Sequence, residues 1–181
     1  MSTGASGYIS NVADMNRDGV PDEQLLGASL HAELLRTRGT VSTAESLTGG
    51  ALADLLSASP GASETFLGGV VTYAAEAKRR ILGVSAETVE THGVVSRECA
   101  LEMADGVRSL FGTDWGVSTT GVAGPTEQEG KPVGLVFVAV TGPPGTHCEQ
   151  LDLQGERAEI RHQVCIRAAI LTLERVSGVA V

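Results

Sequence analysis

Aromatic residues are scarce in this chain, since Phe, Trp and Tyr together make up only 3% of its 181 residues. A hydrophobic core must therefore be built mainly from Ala, Val, Leu and Ile. Hydrophobic residues nevertheless reach 42% of the sequence, while charged residues account for 19%. This balance excludes an intrinsically disordered chain, and the length predicts one globular domain with a sizeable core.

Positively charged residues are also scarce. The chain has 13 Lys and Arg residues and 22 Asp and Glu residues, which gives a net charge of −9. Such a chain is not expected to bind nucleic acid directly, and an anionic ligand would need locally placed cations. The sequence has no apolar run of the roughly 18 residues that cross a membrane, and no secretion signal at its start. We therefore expect a cytoplasmic protein that does not enter a membrane.

Cysteine occurs three times, at Cys99, Cys148 and Cys165, and these positions form no C-x-x-C or Cys/His pattern. Isolated cysteines of this kind are typical of buried thiols in a reducing compartment rather than of disulfides or zinc sites. No metal site is therefore expected from them.

Residues 1–22 are mostly small and polar, which predicts a flexible N-terminal extension before a domain at 23–181. Within it, Asp14-Met15-Asn16-Arg17-Asp18-Gly19 resembles the start of a calcium loop. The bidentate glutamate that such a loop requires six residues after the glycine is replaced by Leu25. An acidic turn is therefore the preferred interpretation.

Apolar residues recur with helical and strand periods along the remaining chain. Helices are predicted over residues 23–38, 48–57, 74–82, 97–110 and 156–176, and strands over 40–43, 66–73, 115–121, 134–141 and 146–153. Strands and helices alternate at first, whereas the last two strands follow one another directly. This order predicts an α/β domain with α/β/α layers and a mixed, mostly parallel sheet that includes an antiparallel hairpin.

The densest group of chemically active side chains lies between the first strand and the second helix, in Ala44-Glu45-Ser46-Leu47-Thr48-Gly49-Gly50. Hydroxyls, a carboxylate and backbone N–H groups converge there at a helix start, which favours anions and developing negative charge. The alternative without chemistry is a helix whose N-cap is Ser46 or Thr48. The stretch by itself leaves both interpretations open.

Further strand-end segments are expected to meet this stretch at one edge of the sheet, where open α/β proteins bind ligands. They are Thr72-Tyr73 with Lys78, residues 119–125, and Gly155-Glu156-Arg157 with Arg161. Lys78 is either the base that activates a serine or a solvated charge on a helix face. Arg157 and Arg161 lie one helical turn apart, and they either clamp a phosphate or belong to a solvated face.

Familiar catalytic templates are missing, because the sequence has no Walker A loop and no G-x-G-x-x-G, H-E-x-x-H or G-x-S-x-G pattern. His92 lies four residues before Ser96, so a Ser-His-Asp triad stays open as an alternative. Ser96 is interpreted instead as the N-cap of the helix that follows it.

Several of these segments, in this order, resemble the motifs of the CinA C-terminal-domain family, which includes stand-alone nicotinamide-nucleotide amidases. The resemblance extends from about residue 43 to residue 176. The matching pieces are residues 44–50, Tyr73 with Lys78, Leu82-Gly83-Val84, His92-Gly93-Val94-Val95-Ser96, Gly121-Val122-Ala123-Gly124-Pro125, Lys131-Pro132-Val133-Gly134, and Gly155-Glu156-Arg157 with Arg161. Because ordered motifs cover nearly the whole domain, the resemblance is specific.

This resemblance implies hydrolysis of the carboxamide of nicotinamide mononucleotide to nicotinate mononucleotide and ammonia, without a metal or cofactor, by a homo-oligomeric protein. It implies Ser46 as the nucleophile, Lys78 as its base and Tyr73 as a relay or orienting group. Backbone N–H groups within residues 48–50, or near Thr120 and Gly121, would hold the oxyanion. The implied substrate-binding residues are Glu45, Thr48, Gly49, Gly50, Thr120, Gly121, Gly124, Arg157 and Arg161.

The chain departs from the family pattern in two places. Leu47 stands where the family commonly has cysteine, which should matter little because the neighbour of a nucleophile on a turn usually points away. Thr126-Glu127-Gln128-Glu129 replaces a more glycine-rich loop, so the details of the substrate loop stay open. Because the first motif begins at Ala44, we expect no partner domain of the kind found in longer family members.

Two functions from other classes compete with the amidase. One is a nucleotide-binding module that has kept the phosphate site without the catalysis. The other is an interaction protein linked to DNA uptake or repair, as the competence name of the family suggests. The net charge of −9 weighs against direct contact with DNA.

Overall fold

The computed structural model describes residues 23–178 of the chain. Its helices are α1 (Glu23–Thr37), α2 (Ala51–Ser57), α3 (Ala75–Leu82), α4 (Ala86–Thr91), α5 (Arg97–Phe111) and α6 (Arg157–Ser177), with a short 3-10 helix at Ala62–Glu64. Its strands are β1 (Val41–Glu45), β2 (Phe66–Val71), β3 (Trp115–Gly121), β4 (Leu135–Gly142) and β5 (Gly145–Asp152). The predicted flexible extension and calcium-like turn lie outside the described residues.

The strands form one five-stranded sheet in the order β2-β1-β3-β4-β5. Strand β1 runs parallel to both β2 and β3, while β4 is antiparallel to β3 and forms a hairpin with β5. Helices α1, α2 and α6 contribute to the apolar cluster on one face, and α3 and α5 pack against the other. This arrangement confirms the predicted α/β/α domain with a mixed sheet.

Side chains along each strand alternate between the two faces of the sheet, so each strand packs against both helical layers. Val136, Val138 and Val140 of β4 point into the cluster beside α6, whereas Ala139 packs beneath α5. The valine-rich run predicted as a central strand therefore lies inside the sheet, between β3 and β5. Within residues 23–178, no helix is long and apolar enough to cross a membrane.

Two helix ends differ from the sequence-based prediction. Helix α1 ends at Thr37, and Arg38, predicted as its last residue, takes the left-handed conformation with φ 56° instead. Helix α2 begins at Ala51 instead of Thr48, because Gly49 and Gly50 have φ of 63° and 102°. Such angles lie outside the right-handed helical region, so residues 47–50 form a turn that carries the chain away from the end of β1.

Candidate active site

A cavity of about 260 Å³ opens at the carboxyl ends of β1 and β3. Its walls come from Ser46 and Leu47 after β1, from Val94 and Val95, from residues 120–124 and 126–128, and from Tyr73 and Arg157. Ser46 is fixed at this edge because its N–H donates to the carbonyl of Thr119 at 3.0 Å, which extends the β1–β3 ladder by one bond. The cavity therefore lies at the edge of the sheet predicted to bind ligands.

Lys78 reaches Ser46 from α3, which packs on one face of the sheet, whereas α2, the helix that follows Ser46, packs on the other face. Its Nζ lies 2.9 Å from Oγ of Ser46 and 2.7 Å from the carbonyl oxygen of Thr72. The lysine side chain is fully buried, on the same face of α3 as Leu82 one turn later. The solvated helix face considered for Lys78 is therefore wrong, and the arrangement joins a hydroxyl to an amine at the cavity wall.

Burial lowers the pKa of the Lys78 ammonium group, because the charged form loses its hydration. Charge interactions with Cys99 and Glu129 oppose this shift in the lysine pKa without reversing it. Arg79 and Arg80, the two cations that follow Lys78 in the sequence, lie exposed on the solvent side of α3. The lowering of the lysine pKa therefore comes mainly from burial.

Glu45 fills the position at the start of α2 that was expected to attract an anionic ligand. Its carboxylate is 1% exposed and accepts hydrogen bonds from the N–H groups of Gly50, Leu52 and Ala53 at 2.8–3.1 Å. Neither Ser46 nor Thr48 caps this helix, and the N-cap residue Gly50 has no side chain to do so. The carboxylate supplies the acceptors that the helix start requires, so Glu45 stabilises the turn from beneath and does not line the cavity.

We expect Glu45→Gln to destabilise the protein by roughly 1–3 kcal/mol, because an amide offers one acceptor oxygen to the three N–H donors. Urea unfolding of the variant and of an exposed control, Glu90→Gln on α4, measures the difference. Equal stability of the two variants would contradict a stabilising role for the Glu45 carboxylate.

The remaining residues of the predicted glycine-rich turn also support the site from outside the cavity. The Thr48 hydroxyl is buried and lies 2.8 Å from the Thr119 hydroxyl. Arg161 donates from Nε and Nη2 to the carbonyls of Leu47 and Thr48 at 2.9 and 2.7 Å, and an added Cβ at Gly49 would lie 3.3 Å from its Nη2. Arg161 thus holds the turn that presents Ser46, and it lines a second cavity of about 230 Å³ instead.

Arg157 lies at the rim of the Ser46 cavity, one turn of α6 before Arg161. It donates to the Gly124 carbonyl and to the Tyr73 hydroxyl, each at 2.6 Å. Tyr73 therefore contacts the rim arginine, and its hydroxyl makes no hydrogen bond to Ser46 or Lys78 among the described residues. The predicted pair of arginines is divided, since one lies at the cavity and the other beneath the turn.

Strand alternation distinguishes the two candidate oxyanion donors of β3. The carbonyl of Thr119 faces β1, where it accepts from Ser46, and the N–H of Gly121 therefore faces the same side. Strand β1 has ended at that level, so this N–H points to the space beside Ser46. The backbone N–H and carbonyl of Thr120 face β4 instead. Its buried hydroxyl donates to the Val94 carbonyl at 2.6 Å.

Sequence reasoning gave no role to Val94 and Val95, although both line the cavity. The signal that was available is their apolar character directly before the N-cap Ser96, a position where an apolar residue often packs against the helix that follows. Ser96 itself accepts from the Cys99 N–H at 3.1 Å and donates to the Gly93 carbonyl at 2.8 Å. Its hydroxyl is thus engaged as a helix cap, and the alternative Ser-His-Asp triad at this position is wrong.

The three cysteines are all buried and free, as predicted. Burial raises the pKa of the Cys99 and Cys148 thiols to about 11 and that of Cys165 to about 12. These groups therefore remain thiols at neutral pH, which makes them poor nucleophiles. Among the described side chains at this cavity, the hydroxyl of Ser46 is the nucleophile that has a base in contact.

Comparison with known proteins connects this geometry to a described family. The model of the CinA C-terminal domain matches residues 23–176. CinA-like proteins of Desulfosudis oleivorans and Frankia casuarinae are 44% and 42% identical to the chain over 154 and 160 residues, or 82% and 88% of its length. These segments make up 37% of each relative, so the chain spans less than half the length of the curated relatives it matches.

Solved structures share both the fold and much of the sequence. A competence-damaged protein (CinA) superfamily protein from Klebsiella pneumoniae superposes with a TM-score of 0.84 at 32% identity, covering 87% of this chain and 99% of the other. A competence/damage inducible protein from Agrobacterium tumefaciens gives a TM-score of 0.79 at 36% identity, covering 84% and 95%.

Proposed function

Because the chain belongs to the CinA C-terminal domain family, we propose that it hydrolyses the carboxamide of nicotinamide mononucleotide to nicotinate mononucleotide and ammonia. The observation that supports this proposal most strongly is the contact of 2.9 Å between Lys78 Nζ and Ser46 Oγ at the wall of the cavity. A serine with a buried amine forms a nucleophile–base unit that needs no histidine.

In the first step, neutral Lys78 accepts the proton of the Ser46 hydroxyl while Oγ attacks the carboxamide carbon. The Thr72 carbonyl orients the amine, since it holds Nζ from a second direction at 2.7 Å. The carbonyl oxygen of the substrate becomes an oxyanion, and the Gly121 N–H that points beside Ser46 is the donor available to it. The Gly50 N–H, another expected donor, is already bonded to Glu45.

Collapse of the tetrahedral intermediate breaks the carbon–nitrogen bond. The Lys78 ammonium returns its proton to the leaving nitrogen, which departs as ammonia and leaves a nicotinoyl ester on Ser46. A water molecule then attacks the ester carbon while Lys78 accepts its proton, and the proton passes to Ser46 Oγ as the acid is released. Proton transfers balance in both halves, and the pyridinium ring assists because it withdraws electrons from the amide.

Arg157 is the cation that lines the cavity, and we assign it to the 5′-phosphate of the nucleotide. Its guanidinium is exposed at the rim and held in place by Gly124 and Tyr73, so its orientation is fixed before a ligand arrives. This assignment makes Tyr73 a positioning residue for Arg157. A phosphate bound at the rim would direct the carboxamide at the other end of the substrate towards Ser46.

Ammonia release from nicotinamide mononucleotide tests the proposed activity, with nicotinamide riboside as the substrate that lacks the phosphate. We expect turnover of the mononucleotide and a kcat/KM for the riboside lower by about tenfold or more, since a charge-assisted contact contributes roughly 1.5–3 kcal/mol. Arg157→Ala should raise KM for the mononucleotide with little change in kcat, and it should leave the riboside unaffected.

The matched control for this arginine is Arg80→Ala, which removes an exposed cation of α3 that does not line the cavity. Equal turnover of nucleotide and riboside by the wild-type protein would disprove the phosphate assignment. Absence of ammonia release from both compounds would disprove the amidase itself.

A further inference from the structure

The loop of residues 126–131 is hydrogen-bonded to residues 92–95, a segment that also contributes to the cavity wall. Glu129 accepts hydrogen bonds from the N–H groups of Val94 and Val95 at 3.2 and 3.3 Å. Lys131 donates to the carbonyls of His92 and Val95, each at 2.6 Å. Gln128 and Lys131 also pair through their backbones. These contacts hold residues 128–131, directly after Glu127, against residues 92–95.

Glu127 is the acidic residue that this loop presents at the cavity. Its side chain is exposed and lines the cavity, together with Thr126 and Gln128. Within residues 23–178, Glu127 forms no ion pair and no hydrogen bond from its side chain, unlike Glu129 beside it. Its carboxylate is therefore available to a bound molecule, and it belongs to a loop that does not have to be ordered on binding.

The charged residues that line the cavity are then one carboxylate, from Glu127, and one guanidinium, from Arg157. They are not paired with each other, so their nitrogen and oxygen atoms lie more than 4.0 Å apart. Because both side chains line the same cavity, a ligand that occupies it is near a carboxylate and a guanidinium at once. Such a pair of opposite charges complements a zwitterion.

We propose that Glu127 determines specificity by recognising the cationic pyridinium ring of the substrate, and that the site thereby selects nucleotides with a positively charged ring over neutral-ring analogues. The inference rests on the proposed function, in which Arg157 takes the phosphate at the other end of the same molecule. Glu127 would therefore discriminate between ligands by the charge of the ring and not by its shape.

Binding of two ligands tests this assignment: nicotinamide mononucleotide and its reduced dihydropyridine form, which has the same carboxamide, ribose and phosphate but an uncharged ring. The full-length Ser46→Ala protein prevents turnover during the measurement. Adding Glu127→Gln should weaken binding of the oxidised ligand about fivefold, the scale of a solvent-exposed charge pair, and change the reduced ligand less than twofold. The selective loss should shrink in 1 M salt, where the Debye length falls to roughly 3 Å.

Glu90→Gln is the matched control, because it removes the same charge from the exposed side of α4 and lines no part of the cavity. An equal change for both ligands, or no change for either, would overturn the role of Glu127. If wild-type protein releases ammonia while Glu127→Gln lacks a selective effect, only this inference fails. If wild-type protein neither binds nor hydrolyses the nucleotide, the proposed function fails and the inference with it.

Discussion

Replacing Ser46 by alanine is expected to abolish ammonia release while nicotinamide mononucleotide still binds. The hydroxyl is the only part of the side chain that is removed, and it is the group in contact with Lys78 Nζ. Loss of a true nucleophile lowers kcat by several orders of magnitude, up to about 10⁶. The residues assigned to the two ends of the substrate, Arg157 and Glu127, are left in place. Isothermal titration and a coupled ammonia assay on the same purified protein measure both properties.

Ser57→Ala is the control for this variant, because its exposed hydroxyl donates to the Asp54 carbonyl on α2 and lies outside the cavity lining. Its kcat should match that of the wild type. Retention of about a tenth of wild-type kcat by Ser46→Ala would rule out a serine nucleophile, since host amidase would have been removed during purification.

Replacing Lys78 by methionine is expected to lower kcat by about 10³-fold or more, because the serine loses the base that accepts its proton. Lys78→Arg should be equally inactive, since a guanidinium does not give up its proton near neutral pH. The double variant Ser46→Ala/Lys78→Met should be little worse than either single variant, because parts of one unit are not additive. Full activity of Lys78→Met would exclude Lys78 as the base.

The pH profile of the wild type provides an independent check on Lys78. Burial lowers the pKa of this ammonium group, and the working form is the neutral amine. We therefore expect kcat/KM to rise as the pH climbs through the lowered pKa and then to reach a plateau. A profile without a rising limb, in an assay where chemistry limits the rate, would contradict this role.

The same shift in the Lys78 pKa also makes the folding stability of the protein depend on pH. The unfolded chain binds the lysine proton more readily than the folded protein, so folding becomes more favourable as the pH rises towards the ordinary lysine pKa of about 10.4. Lys78→Met removes this dependence. The unfolding free energy of the wild type minus that of Lys78→Met should therefore rise with pH over this range, and a cooperative unfolding transition also shows that the inactive variant is folded.

Local patterns in the sequence were sufficient for most of the architecture. The valines of β4, the serine cap at Ser96 and the apolar stripe of α1 each specify an element from neighbours within a few residues. Hydrophobic period and capping chemistry act over such short distances, which is why they can be read directly. The resemblance in ordered motifs likewise pointed to Ser46, Lys78 and Arg157 before any distance was known.

Which partner each polar group takes was decided by the tertiary structure. Nothing near Glu45 in the sequence distinguishes a carboxylate that binds substrate from one that caps the next helix. The turn at Gly49 and Gly50 brings three N–H groups of the α2 start onto that carboxylate. The helical spacing that made Arg157 and Arg161 a pair also holds, yet one guanidinium reaches Gly124 and the other reaches Leu47.

Lys78 shows most clearly which properties the sequence determines and which depend on the tertiary structure. The sequence determined that a lysine lies one helical turn before Leu82 on a short amphipathic helix. Its contact with Ser46, 32 residues earlier, and its lowered pKa arise only when α3 packs its Lys78–Leu82 face against the sheet. Hydration cost and hydrogen-bond geometry depend on everything that surrounds a group in space, so a short-range pattern specifies the residue and the packed domain specifies its chemistry.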